Sequence, residues 1–279
     1  MIIDVHTHIM PPGIRENRSR FAEKDRCFDL LYSNPKAKIA TAQEVVDNMA
    51  QEGIDVSVVL NVGWDSHELC QITNDYILEA ISTYPHKLVG FGAIQPLDQV
   101  NAVKEIERCA RGGMRGIGEL RCDTQGFDFA DKDSMMPIIE VVREYDMIVL
   151  THTSEPVGHI YPGKGAITPE IIYGFIQNFP DIKLVCAHWG GGLPFYALMP
   201  EVAELFTNVY FDTAASPFLY KNDIFTYVSS LVGKEKILFG SDYPLIKQQR
   251  IVEVVLSLDC PQDTKDMILG GNAQRLLSI

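Results

Sequence analysis

The stretch Lys183-Leu184-Val185-Cys186-Ala187-His188 decides the fold. It is a short apolar run without polar alternation, the pattern of a strand covered on both faces, as parallel strands are. Val56-Ser57-Val58-Val59-Leu60 reads the same way. Working outward from these two, comparable runs give strands near 2–6, 56–61, 88–94, 115–120, 148–152, 183–188, 209–212 and 237–240. Helical patterns lie between them. Thr41-Ala42-Gln43-Glu44 is a capping box that opens a helix through Met49, closed by Gly53. Pro137, followed by Ile138, Ile139, Val141 and Val142, puts proline in the first turn of another. Thr168-Pro169-Glu170 begins a third, ending near Asn178 before Pro180. Eight strands alternating with helices predict an α/β fold, one (β/α)8 TIM barrel domain over residues 1–279. An open doubly wound sheet is the alternative, weakened because no G-x-G-x-x-G follows the first strand.

Two connections are longer than usual. Ile9 to about Ala40 follows strand one and carries Arg15, Arg18, Arg20, Lys24 and Arg26; Thr153 to Ile167 follows strand five and carries His159, Tyr161 and Lys164. Both leave the C-terminal end of a strand, where a barrel builds its site. Lys plus Arg total 24 and Asp plus Glu 37, a net charge of −13 that argues against nucleic acid or an anionic membrane surface as partner. No apolar run is long enough for a membrane helix, and Met1-Ile2-Ile3-Asp4 lacks the basic start of a signal peptide. Six cysteines without a C-x-x-C pair read as reduced thiols. The expectation is a soluble cytoplasmic protein, with a homodimer as the default assembly.

His6 and His8 flank Thr7, and two residues apart on a strand they share a face. His152 and His188 end strands five and six, and Asp242 follows strand eight in Gly240-Ser241-Asp242. Imidazole and carboxylate at one barrel mouth are ligand types for a borderline divalent ion such as zinc, with a position left for water. Glu119 ends strand four. It either bridges a second metal, supports the first from behind, or pairs with Arg115 or Arg121. Arg121 shares its parity and either holds a substrate carboxylate or makes a rim salt bridge. His159 and Tyr161 either reach the substrate or belong only to their loop. His67 is expected at the surface or rim, and His86 at the exposed bottom of the barrel. Gly190-Gly191-Gly192 reads as a tight turn beside the metal, Cys186 as barrel interior, and Asp4 as a buried partner on the face of His6.

These residues fall in motifs that resemble the amidohydrolase superfamily, in the amidohydrolase-related branch that includes 2-amino-3-carboxymuconate-semialdehyde decarboxylase. Ile3 to His8 resembles the opening motif, and Tyr84 to Gly90 the entry to strand three. Phe179 to Gly191, Gly240 to Pro244 and Gly271 to Leu277 resemble the strand-six block, the strand-eight block and the C-terminal helix. The resemblance implies a distorted barrel with one or two divalent metals, usually zinc. His6, His8, His152 and Asp242 would be ligands, and His188 a catalytic residue or a ligand of a second ion. The carboxylate Glu119 departs from the single-metal decarboxylase pattern and favours hydrolysis. The expected reaction is attack of metal-activated water on a small amide, lactone or ester, with Asp242 moving the proton and His188 stabilising the oxyanion. The competing expectation is non-oxidative decarboxylation of a small unsaturated or aromatic acid bound through Arg121.

Overall fold

The computed structural model describes residues 1–279. Eight parallel strands follow one another in sheet order: β1 (Ile3–His8), β2 (Val56–Leu60), β3 (Leu88–Gly92), β4 (Gly116–Leu120), β5 (Ile148–Thr151), β6 (Leu184–Cys186), β7 (Val209–Asp212) and β8 (Ile237–Leu238). The ring closes where Val5 N donates to Phe239 O at 2.8 Å and Thr7 bridges to Tyr243. The expected α/β barrel is present.

Its two apolar layers follow from strand parity. Val56, Val58, Leu60, Ile148, Leu150, Val185 and Leu238 fill the interior, and Ala273, Leu276 and Leu277 of the last helix plug its floor. Val59, Ile117, Val149, Leu184 and Phe211 pack outward under the helices. Cys186 belongs to this outer layer, so its expected place inside the barrel is corrected. The true inward neighbours are Val185 and Ala187.

The β1–β2 register contains a bulge. Ile3 and Asp4 pair with Val56 and Ser57, but Thr7 pairs with Val59, so three steps on β1 oppose two on β2. One extra residue re-phases the side chains. Asp4 therefore faces the helices and accepts from Gln248 Nε2 (2.8 Å) and Ser241 N (3.0 Å), not sharing the face of His6 as expected, although it is buried.

The capping box at Thr41 and the left-handed closure at Gly53 are present, and the helix spans Ala42–Glu52. The helix expected to begin at Pro137 starts earlier, at Lys132, because Asp131 accepts from the Asp133 and Ser134 amides and caps it. The first long connection is folded into three short helices, Pro12–Glu16, Arg18–Ala22 and Arg26–Tyr32. Asp25 caps the last of these, and Arg18 ties down residues 32–37, donating to the carbonyls of Tyr32 (3.3 Å), Asn34 (2.6 Å) and Ala37 (2.8 Å). No helix is long and apolar enough to cross a membrane.

Candidate active site

The strand ends bring together His6 and His8 from β1, Glu119 from β4, and His152, His188 and Asp242 from just beyond β5, β6 and β8. Two overlapping groups form, His6–His8–Glu119 and Glu119–His152–His188, each with ligand atoms within 4.8 Å of one another. Asp242 Oδ1 lies 3.3 Å from His8 Nε2 and 4.0 Å from His6 Nε2, closing the cluster from the far side.

Hydrogen bonds fix which nitrogens face the centre. His6 Nδ1 is 2.8 Å from Asp212 Oδ2, so its proton is held there and the Nε2 lone pair points inward. His188 Nδ1 donates to Ala214 O at 3.1 Å, which turns Nε2 inward as well. His152 Nδ1 lies 2.8 Å from Glu119 Oε1. Glu119 Oε1 is also 3.6 Å from His188 Nε2, and Oε2 is 3.9 Å from His8 Nε2. Glu119 thus joins both groups, and its pairing with Arg115 or Arg121 does not form; Arg121 pairs with Asp123 instead. Burial works against the Glu119 charge, but the surrounding imidazoles, His152 first, hold its pKa well below the ordinary value. Burial and then the Arg121 charge push His152 down to about 4, which keeps it neutral and able to coordinate. For His188 burial is outweighed by hydrogen bonding to Glu119 and the nearby Asp242, and its pKa rises.

A divalent ion fits this arrangement. His6 Nε2 and His8 Nε2 face each other at 3.1 Å, where two lone pairs repel unless a proton or a cation lies between them. His8 Nδ1 is buried without a partner, and two carboxylates, Glu119 and Asp242, line the same pocket. Imidazoles with carboxylates suit several first-row dications, so the donor set fixes the class of metal and not its identity.

Backbone geometry at the site is unusual. His188 (φ 54°), Trp189 (61°), Ala215 (57°) and Asp242 (66°) are left-handed, a conformation that costs a non-glycine residue on the order of 1 kcal/mol and persists where surroundings impose it. β6 consequently ends at Cys186, short of the expected His188. The tight turn expected at 190–192 is present: Gly191 has φ 59°, and a Cβ there would sit 2.5 Å from Ser154 O.

The cluster forms the floor of a cavity of about 690 Å³. Arg121, 1% exposed, reaches it with Nη2 on Gly163 O (3.0 Å) and Asp123 (3.3 Å) and with Nε lacking any partner. His159 and Tyr161 line its wall, the Tyr161 hydroxyl donating to Glu155 at 3.1 Å. His67 is half-buried at the start of helix His67–Thr83, outside the cavity, and His86 is exposed as expected. The basic run of the first connection does not line the cavity; Lys36 and Lys38 do. Asp212 is a site residue that the sequence reading missed. It is fully buried, and besides His6 it accepts from His188 N (2.9 Å) and Ala214 N (3.0 Å). Its signal was legible as a carboxylate closing the run Val209-Tyr210-Phe211-Asp212.

A 2-amino-3-carboxymuconate-6-semialdehyde decarboxylase of Dictyostelium discoideum is 23% identical, covering 99% of this chain and 91% of its own length. A 6-methylsalicylic acid decarboxylase of Penicillium expansum is 24% identical, covering 98% and 95%. Among solved structures, the 5-carboxyvanillate decarboxylase of Novosphingobium aromaticivorans, complexed with manganese and 4-hydroxy-3-methoxy-5-nitrobenzoic acid, superposes with a TM-score of 0.80. It is 17% identical, with 100% of this chain and 96% of the other covered. These relatives are decarboxylases, and they overturn the hydrolase expectation. Glu119 does not discriminate between the two reactions, because the same His and carboxylate set serves either. The family model for amidohydrolases matches residues 3–279, and with the barrel and its mouth of imidazoles and carboxylates the conclusion is that the chain belongs to the amidohydrolase family.

Proposed function

We propose that this chain is a metal-dependent, non-oxidative decarboxylase of a small aromatic or unsaturated carboxylic acid. The observation that carries the reading is a buried guanidinium, Arg121, opening into the same cavity as the His and carboxylate cluster. A carboxylate is the complement of such a group. The decarboxylase relatives support the reaction type. His6, His8, His152 and Asp242 would hold a divalent ion, manganese as in the solved relative or zinc, with Glu119 and His188 in reach of a second; the ion would supply Lewis-acid polarisation of a substrate oxygen.

The chain's own groups account for the rest. Arg121 binds and orients the acid as its carboxylate, with His159 and Tyr161 closing the cavity above it. The carbon–carbon bond breaks heterolytically, the electron pair stays on the ring or alkene carbon, and carbon dioxide leaves. That carbon takes a proton from His188 Nε2, whose pKa is raised against burial by the hydrogen bond to Glu119 and the nearby Asp242 charge. Asp242, ionised and facing the cavity, passes the replacement proton from water. One proton is consumed, no electrons are exchanged, and no redox partner is needed. Six free thiols support a reducing, cytoplasmic setting.

The test is to incubate protein loaded with manganese or zinc with a panel of hydroxybenzoates and unsaturated acids in D2O. Carbon dioxide should appear in step with a product bearing one deuterium at the vacated carbon. Turnover of esters or lactones with no carbon dioxide from any acid would refute the reading.

A further inference from the structure

Asp4 is a fully buried carboxylate behind the cluster and takes no part in the chemistry above. Its Oδ1 accepts from the amides of His6 (3.0 Å) and Ser241 (3.0 Å). Its Oδ2 accepts from the Ser241 hydroxyl (2.5 Å) and from Gln248 Nε2 (2.8 Å). Four donors match the four lone-pair sites of one carboxylate group.

These bonds divide into two sides. On one, Gln248 opens the helix Gln248–Ser257 and also bonds Ser57 Oγ of β2 (2.9 Å) and Asn48 of the helix Ala42–Glu52 (3.0 Å). Those contacts join helices to the barrel wall. On the other side lie His6 itself and Ser241, the residue before Asp242. The Ser241 hydroxyl also accepts from Tyr243 N (3.0 Å), so the left-handed Asp242 (φ 66°) is held through both of its neighbours. Asp242 N in turn donates to His6 O at 2.9 Å. Asp4 therefore spans the closing seam of the barrel where His6 Nε2 and Asp242 Oδ1 stand 4.0 Å apart. Asp212 aims the His6 ring, whereas Asp4 sets where the His6 backbone stands relative to Asp242.

We propose that Asp4 is a positioning residue for the metal centre, setting the separation of His6 and Asp242 by bonding the His6 amide together with the amide and hydroxyl of Ser241. It touches neither ion nor substrate. This rests on the divalent-ion reading above and adds to it a residue that acts through two of the ligands. Ligating atoms have to be held within about 0.5 Å of their working geometry. β8 ends at Leu238, before Asp242, so the strand ladder does not supply that precision, and the Asp4 carboxylate does.

The experiment compares wild type, Asp4→Ala and Gln248→Leu for manganese affinity by chelator competition. The visible absorption of the cobalt(II)-loaded proteins reports ligand geometry, and thermal unfolding reports stability. Gln248→Leu also takes a donor from Asp4, but on the side away from His6 and Asp242. Expected in Asp4→Ala is a loss of about 10- to 100-fold in manganese affinity and an altered cobalt spectrum. Gln248→Leu should lower Tm yet keep the affinity within about threefold and the cobalt spectrum unchanged. Equal losses in the two variants, or Asp4→Ala within about threefold of wild type, overturn the role assigned to Asp4. Should Asp4→Ala not fold, Ser241→Ala decides, because it removes one bond to Asp4 and the support of Tyr243 N. A loss of about threefold or more then supports the role, and a smaller one overturns it. Wild-type protein that binds neither manganese nor cobalt overturns the metal reading itself, a failure seen without any variant.

Discussion

Asp212→Asn isolates the contribution of one buried carboxylate to metal binding. Asp212 Oδ2 holds the His6 Nδ1 proton at 2.8 Å, while Oδ1 accepts from the amides of His188 (2.9 Å) and Ala214 (3.0 Å). An asparagine keeps an oxygen for the two amides but turns an NH2 toward His6, where a donor meets a donor. His6 then gains by moving its proton to Nε2, and the lone pair facing the cluster is lost. A hydrogen bond to a charged group contributes about 1.5–3 kcal/mol, and removing such a partner of a metal-binding histidine weakens the metal on the order of 10- to 100-fold. Asp212→Ala goes further by stranding three buried donors at about 1–3 kcal/mol each. Their sum, about 3–9 kcal/mol, is a large share of a domain's stability of roughly 5–15 kcal/mol, so that variant should be strongly destabilised. The assay is competition with a chromophoric chelator for manganese, with thermal unfolding alongside. Asp212→Asn protein that holds its metal within about threefold of wild type would refute the assignment of Asp212 as the group orienting His6.

Two further outcomes concern stability. Gly191→Ala combines a left-handed φ with a Cβ 2.5 Å from Ser154 O, and the cost should be on the order of 3 kcal/mol. That lowers Tm by roughly 6–12 °C in a scan, and a fall under about 2 °C would show that the turn has room. Glu105, 2% exposed, accepts from Asn74 (2.7 Å) and Arg108 (2.6 Å). Burial opposes its charge, but these partners prevail and its pKa lies below the ordinary value. A carboxylate lowered in the folded state adds stability above its unfolded pKa, near ~4.3, and loses it as pH falls through the folded value. Glu105→Gln should therefore cost about 2 kcal/mol at pH 7 in urea unfolding and progressively less below about pH 4. A cost unchanged across that range would contradict the ion-pair account.

The barrel was legible because each strand is a compact apolar run whose end carries a chemically distinctive residue. His6, His8, His152, His188 and Asp242 could be assigned to one mouth from topology alone. The bulge in β1 was hidden, since an alternation of apolar and polar residues looks the same with or without one extra residue between Asp4 and Thr7. Cys186 was misplaced for a related reason: a run buried on both sides offers no contrast of polarity to tell inside from outside. Asp212 escaped attention because it lies behind the histidines, although it stands at a strand end just as Glu119 does. The place of Lys36 and Lys38 on the cavity wall depends on how a long connection folds back, which no periodicity in the barrel strands records. The reaction type was beyond reach because metal-assisted hydrolysis and decarboxylation call on the same ligands.

The way Arg18 secures residues 32–37 bears on how such a site changes over generations. Its guanidinium grips only carbonyl oxygens, those of Tyr32, Asn34 and Ala37. Every amino acid supplies a carbonyl, so the anchor tolerates replacement of the side chains it positions, Lys36 among them. The candidate metal-binding residues sit on the strands or just beyond their ends, where the registers leave no such freedom. Mutation can thus try new rims against a constant catalytic floor, and one arginine keeps each trial in place.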